Sequence, residues 1–314
     1  MKVVNYLSSV PLKDRNINSS EKTQIIKNFF EGVRVTGDES LVCNGNYIPS
    51  DVAIIQGWVH ENSGSTPHLK LRKEVIKHQL LTKKFVITAD SNLFLYAVGK
   101  ENEPHHYLRY SFNGVFPNTG IYCDTNIDSQ RWQQISKDLN LSLKDYRTNG
   151  NHILLCLQRN EGWSMGSVNI QDWAIETINK IRLYSDRTII IRPHPGDRHT
   201  NMILTPGHPQ CRIPLSHNVK ISTNKLLQDD LKNCWIAINY NSSPVVGAAI
   251  EGIPIIVADN AKSQCAEISN NIENIESPVL HDRQQWVERL SMFHWKFTEL
   301  QNGSCWQHMK KFIL

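Results

Sequence analysis

No Cys-x-x-Cys pair occurs in this chain. Its seven cysteines (Cys43, Cys123, Cys156, Cys211, Cys234, Cys265 and Cys305) are scattered and odd in number. That pattern argues against a disulfide framework or a structural zinc site and points to a reducing cytoplasm. No segment approaches the roughly 20 apolar residues that span a bilayer. Met1–Val4 runs straight into a strand-like stretch, without the apolar run and small-residue cleavage site of a signal peptide. Internal repeats and low-complexity tracts are absent, which sets aside solenoids and disordered tails. Excess charge is small: the net is +4, which tolerates a polyanionic partner without demanding one.

What is present is ordinary core-forming material. With 314 residues, 40% hydrophobic and 20% charged, the chain can fill two domains of common size. Strand-like and helix-like segments alternate, so an α/β fold with mostly parallel sheets is expected. Strands are read at Lys2–Leu7, Asp51–Val59, Phe85–Ala89, His152–Gln158 and from Thr188. Helices are read from Ser19-Ser20-Glu21, at about Leu69–Leu81 and at Gln171–Tyr184. Asn-Gly and Pro-Asn-Thr-Gly punctuation makes Tyr107–Asp124 read as turns and loops. A linker is expected near Leu143–Asn151. The boundaries are therefore 1–145, 146–281 and a terminal helix 282–314, whose Trp286, Leu290, Phe293, Phe297 and Leu300 fall on one packing stripe.

Three turns carry most of the chemistry. Asn241-Ser242-Ser243-Pro244 precedes an apolar helix, with Ser243 as N-cap, Pro244 at the first helical position and Gly252 at the end. Such a turn sits on the carboxyl edge of a parallel sheet, where α/β proteins bind ligands and helix N-termini favour phosphate. Ser243 acting only as a cap is the competing reading. Arg192-Pro193-His194-Pro195-Gly196 is a stiff strand exit with one projecting imidazole; Arg192 and His194 suit phosphate oxygens. Gln158-Arg159-Asn160-Glu161-Gly162 leaves the first strand of the second half, and Arg159 could pair with a diphosphate. Ordinary turn residues are the alternative for both.

"ILLCLQ", "RPHP" and "NSSPVVGAAIEGIPIIV", in that order, resemble the C-terminal nucleotide-binding domain of glycosyltransferases of the GT-B fold, nearest to capsular-polysaccharide and sialyltransferase-like groups. The resemblance covers roughly the second half. It implies two Rossmann-like domains facing a central cleft, a nucleotide-sugar donor substrate and no other cofactor. It also implies that His194, Ser242 and Ser243 contact the donor phosphate, with Gln158 and Asn241 beside them. In those relatives an acidic residue follows the serine pair early in the helix. Here Glu251 comes at the helix end, which puts its ribose contact in question.

In such an enzyme the N-terminal domain binds the acceptor. Asp90, directly after "FVITA", and His60, after "GWV", are the candidate bases that take a hydroxyl proton. Each has a bland alternative, an N-cap and a surface loop. No Asp-x-Asp motif occurs, so metal independence is expected. The helix with Lys70 and Arg72, and the loop with Arg109, Tyr110 and Asn113, suit a phosphate backbone with a stacked or flipped base. General character resembles phage enzymes that glycosylate hydroxymethylated DNA bases, which would work in the host cytoplasm. The reading leans to that acceptor; a surface or capsular saccharide is the alternative. A non-catalytic nucleotide-sugar or nucleic-acid binding module is the alternative of another class.

Overall fold

The structure is a computed structural model that describes residues 1–17, 20–60, 63–98, 105–160, 162 and 164–314. Its strands are β1 (Lys2–Tyr6), β2 (Glu39–Cys43), β3 (Val52–Ile55), β4 (Phe85–Asp90), β5 (Leu108–Phe112) and β6 (His152–Cys156). They continue with β7 (Thr188–Arg192), β8 (Val219–Ile221), β9 (Cys234–Asn239), β10 (Ile255–Val257) and β11 (His294–Trp295). Helices α1 (Leu12–Arg15), α2 (Glu21–Val35), α3 (Pro67–Leu81), α4 (Leu95–Val98), α5 (Ser129–Asp138) and α6 (Ile170–Arg182) come first. Then follow α7 (Arg198–Ile203), α8 (Leu227–Leu231), α9 (Pro244–Ile250), α10 (Gln284–Ser291), α11 (Phe297–Gln301) and α12 (Ser304–Lys310).

The chain folds into two units, each with its own sheet. Unit 1 is Met1–Asn92, Glu103–Gln134 and Glu288–Leu314; unit 2 is Leu93–Asn102 and Ile135–Val287. The mixed α/β class with mostly parallel sheets is as expected.

In unit 1 the strand order is β11-β5-β4-β3-β1-β2. β1 to β4 run parallel; β5 and β11 are antiparallel to their neighbours. "KVVNY" and "VAII" are near-continuous apolar runs because parallel strands are covered on both faces. On one face Ile25, Ile26, Phe29 and Val33 of α2 join Val3, Ile54 and Ile87; on the other, Leu71 and Val75 of α3 meet Val4, Ala53 and Val86. Ser20 is the N-cap residue of α2, while Ser19 lies outside the described residues.

Two expectations fail here. The Tyr107–Asp124 stretch contains strand β5, whose exit Asn113 (φ 61°) turns the chain while its main-chain N–H and side-chain oxygen bond Val86 of β4. The terminal segment is not one helix. It stops at Ser291 and gives β11, which pairs with β5 (His294↔Arg109, Trp295↔Leu108), before α11 and α12. Arg131 locks this break by donating to the His294 carbonyl and to Glu299. Trp286, Leu290, Phe293 and Leu300 are buried all the same.

In unit 2 the order is β10-β9-β6-β7-β8, all parallel. β6 is the first strand of this set. The chain moves from it to β7 and β8 on one side, then returns to β9 and β10 on the other. That is the Rossmann arrangement, with its switch point between β6 and β9. "HILLC" is buried throughout. α6 buries Ile170, Trp173, Ala174, Ile178 and Ile181, and its N-cap Asn169 accepts hydrogen bonds from the Gln171 and Asp172 N–H groups. α9 ends in a Schellman cap: Gly252 takes φ 80°, its N–H reaches Ala249 O, and the Ile253 N–H reaches Ala248 O.

Candidate functional site

The carboxyl edge of the unit 2 sheet gathers the three turns. Gln158, two residues beyond β6, spans the switch point. It is 5% exposed; its Oε1 accepts from the Asn241 N–H (3.2 Å) and its Nε2 donates to Ser164 Oγ (2.9 Å). Asn241 continues the bridge, donating to Ser164 O (3.0 Å) and to Asp259 Oδ2 (3.1 Å) at the exit of β10. On the other side Arg159 Nη2 donates to Gly196 O (3.2 Å) and the Asn160 N–H to Asp197 Oδ2 (2.8 Å). The His194 turn and the Asn241–Ser243 turn are thus both fastened to one segment, Gln158–Asn160. Glu161 lies outside the described residues.

His194 is half-buried. Its Nδ1 accepts from the Gly196 N–H (3.0 Å), so the ring proton of the neutral form sits on Nε2. Burial, and then the Arg159 charge, push its pKa below the usual histidine value. A neutral imidazole with an Nε2–H donor results. Asp197 caps α7, accepting from the Thr200 N–H and hydroxyl. Burial raises its carboxyl, but the Asn160 and Thr200 bonds outweigh it and hold it below the usual value.

Ser243 stands at the N-cap position of α9, and its hydroxyl makes no capping bond to that helix. Ser242 receives the amide of fully buried Asn239 on its carbonyl and, at 3.1 Å, on Oγ. Asn160, of the turn after β6, helps hold the site together; Asn239, Ser164 and Asp259 do so too and escaped the sequence reading, since none of these three lies in a motif with a chemical signature.

Two donor-side expectations need correction. Arg192 does not face outward as a spare cation. Its guanidinium donates to buried Asp230 and to the carbonyls of Asn224, Lys225 and Leu226. Glu251 sits at the C-terminal end of α9, which returns antiparallel to the strands. That places it at the amino edge, away from the turns, where it pairs with Lys144 (2.6 Å) and Arg147 (3.5 Å). It is a tether for the 144–147 segment, not a ribose contact.

In unit 1 the candidate base Asp90 ends β4 and lies opposite Arg109 of β5. Arg109 donates to Asp90 Oδ2, and the Ser91 N–H bonds Oδ1 at 2.7 Å. Arg109 is therefore committed to orienting a carboxylate. His60 is half-buried in the loop after β3, where its N–H donates to Ser63 Oγ (3.1 Å). Lys70 is exposed on α3.

Arg72 and Tyr110 are not surface residues. Arg72 is 7% exposed and donates to Ser9 O and to Gln56, joining the exits of β1 and β3. Burial brings its pKa down to about 10. Tyr110 is 1% exposed, edge-on to Phe29. With Asn113 spent on β4, three of the five expected acceptor contacts are structural.

No protein-family description and no curated protein matches this sequence. Among solved structures, the chain is similar to the Thermosulfurimonas dismutans KpsC beta Kdo 2,7 transferase, at 12% identity and a TM-score of 0.53 over 99% of this chain and 100% of that one. It is also similar to the beta Kdo 2,4 transferase of KpsC from the same organism, at 12% identity and 0.51 over 93% of this chain and 90% of that one. At this identity the likeness shows the fold, and it agrees with the expected GT-B class.

Proposed function

We propose that this protein transfers a sugar from a nucleotide-linked donor, held by unit 2, to a hydroxyl of a saccharide acceptor. One observation carries the reading. At a Rossmann switch point the Asn241–Ser243 turn is bonded to Gln158 and the His194 turn to the next two residues, Arg159 and Asn160, leaving an imidazole Nε2–H and the Ser243 hydroxyl at the carboxyl edge. Donors fixed there stabilise the charge that develops on a leaving phosphate. Arg159 adds a permanent cation.

Asp90 is the proposed base. Its carboxylate, oriented by Arg109, takes the proton of the acceptor hydroxyl. A saccharide is preferred over a DNA base for two reasons. The side chains that would stack on or grip DNA, Tyr110 and Arg72, are buried. Two solved structures of similar fold are Kdo transferases.

Thermal-shift screening across UDP-, GDP-, CMP- and dTDP-sugars tests the donor half. A donor at a hundred times its Kd stabilises by about 2.7 kcal/mol. His194→Ala is expected to lose that shift while keeping the fold. Asp90→Asn is expected to keep the shift and lose turnover, measured as nucleotide release on adding acceptor. A full donor shift in His194→Ala would falsify the site assignment.

A further inference from the structure

Every second residue of a strand faces the same side of its sheet, and directly paired residues of neighbouring strands share that side. In unit 1 the register puts Asp90 of β4 opposite Arg109 of β5, and Arg109 opposite His294 of β11. Their neighbours Ala89, Leu108, Tyr110 and Trp295 belong to the core under α2. Asp90, Arg109 and His294 therefore form one row on the other face, with adjacent Cβ atoms about 5 Å apart. Exposure falls along this row. The side chains of Asp90 and Arg109 are 36% and 12% exposed, and His294 is 0% exposed. An acceptor meets the row at its carboxylate end; the imidazole end is sealed.

Several elements build the seat of His294. The Tyr110 N–H donates to Phe293 O (2.9 Å), which ties β11 to β5. Arg131 of α5 donates to the His294 carbonyl, and its guanidinium carbon lies 4.1 Å from the centre of the Trp295 ring. His294 Nδ1 lies 2.7 Å from Leu290 O. A carbonyl only accepts, so that nitrogen carries the proton of the neutral ring and Nε2 keeps a bare lone pair. Burial, and then the Arg109 and Arg131 charges, keep the ring neutral at pH 7 by pushing its pKa down to about 3. Next to Arg109 in the row thus stands a group that accepts but carries no charge. The carboxylate on the other side of Arg109 is the one anion of the row, and Arg109 donates to it.

We propose that His294 is a positioning residue for Asp90: its neutral ring braces the inner side of the Arg109 guanidinium and keeps that cation turned to the carboxylate. The terminal segment thereby completes the acceptor side of unit 1. The proposal rests on the reading of Asp90 as the base and adds what fixes it. The first measurement needs no substrate. Asp90 and His294 stand two strands apart, about 10 Å, where substitutions add unless a shared partner links them. Urea unfolding of the whole chain is run on Asp90→Asn, His294→Asn and the double variant, and again with Arg109→Met in each. The asparagine amide still serves Leu290 O but falls short of Arg109. Should His294→Asn not fold, His294→Phe, which keeps the ring's size, takes its place. With Arg109 present the two substitutions are expected to depart from additivity by about fivefold in the unfolding constant, and without it by less than about twofold. The second measurement is nucleotide release to water as acceptor, from whichever of the UDP-, GDP-, CMP- and dTDP-sugars gives the largest thermal shift. His294→Asn is expected to lower kcat about tenfold with the donor KM unchanged. His294→Gln, long enough to offer an oxygen to Arg109, should recover to within about threefold of the parent. Additivity with Arg109 present, coupling that persists without it, or a parent-like kcat in His294→Asn overturns the positioning role and leaves Asp90 as the base. Parent-like turnover in Asp90→Asn overturns both.

Discussion

Arg192, expected from the sequence as a ligand for phosphate, is placed by the structure as a scaffold clamp on Asp230 and the loop after β8. Its guanidinium is 12% exposed, against 0% for the Asp230 side chain it pairs with. Replacing Arg192 by Met keeps most of the stem's volume and deletes the charge. Removing one partner of a buried ion pair costs about 3–5 kcal/mol, because a carboxylate is left without its cation in a dry site. Asp230 keeps donors on Ser222 and Asn224, which argues for the lower end, about 3 kcal/mol. Three loop carbonyls also lose their donor, so the figure does not fall much below that. At about 2–4 °C per kcal/mol for a unit of this size, Tm should drop by about 6–12 °C. Urea unfolding followed by fluorescence and circular dichroism measures the loss. Arg192→Met/Asp230→Leu, which removes both charges, should regain more than half of it. A single variant that unfolds within about 0.5 kcal/mol of the parent, yet has lost its donor response, would refute the clamp and restore Arg192 as a ligand contact.

Two further outcomes follow from buried or strained groups. His294 is fully buried and its Nδ1 bonds Leu290 O (2.7 Å); burial, and then the charges of Arg109 and Arg131, push its pKa down to about 3. The unfolded chain takes up that proton near pH 6.5 and the folded chain does not. Stability is therefore greatest above pH 6.5 and falls on acidification toward pH 3, by on the order of 5 kcal/mol in full. His294→Gln should flatten this part of the stability profile, and a variant profile parallel to the parent's would remove His294 as its cause. Gly252 holds φ 80°, and a Cβ there would lie 2.0 Å from Asp145 O. Gly252→Ala should cost more than about 1 kcal/mol in urea unfolding, and an unchanged midpoint would contradict the cap geometry.

The parallel class was legible because β1, β3, β6, β7 and β9 are apolar runs bounded by turn chemistry. Strand β2 was not. Its Leu41 and Val42 are exposed at a sheet edge, so neither a buried run nor alternation marks it, and only pairing with β1 makes it a strand. β8 has three residues, too few to carry a pattern. The 282–314 stripe continues through Phe293 and Phe297 at helical spacing, yet the open edge of β5 captures His294 and Trp295. Tertiary pairing overrode periodicity there.

The same division explains which candidate residues the structure brings to one edge. In a parallel α/β unit, strand exits and helix N-termini share the carboxyl edge, and helix C-termini fall at the other. Gln158, Arg159, His194, Asn241, Ser242 and Ser243 all satisfy that rule. Glu251 breaks it, since the Gly252 cap already marks the end of its helix. Its exclusion was available from the sequence and needed only the direction of α9. Arg192 satisfies the rule and still failed, because its partner Asp230 lies 38 residues further on and no local pattern announces a buried carboxylate. Arg72 failed the same way, through Ser9 and Gln56. Edge placement is local information; whether a cation at that edge is already neutralised from within is not. For this reason the arginines, rather than the histidine or the serines, are where a reading by motif most needs coordinates.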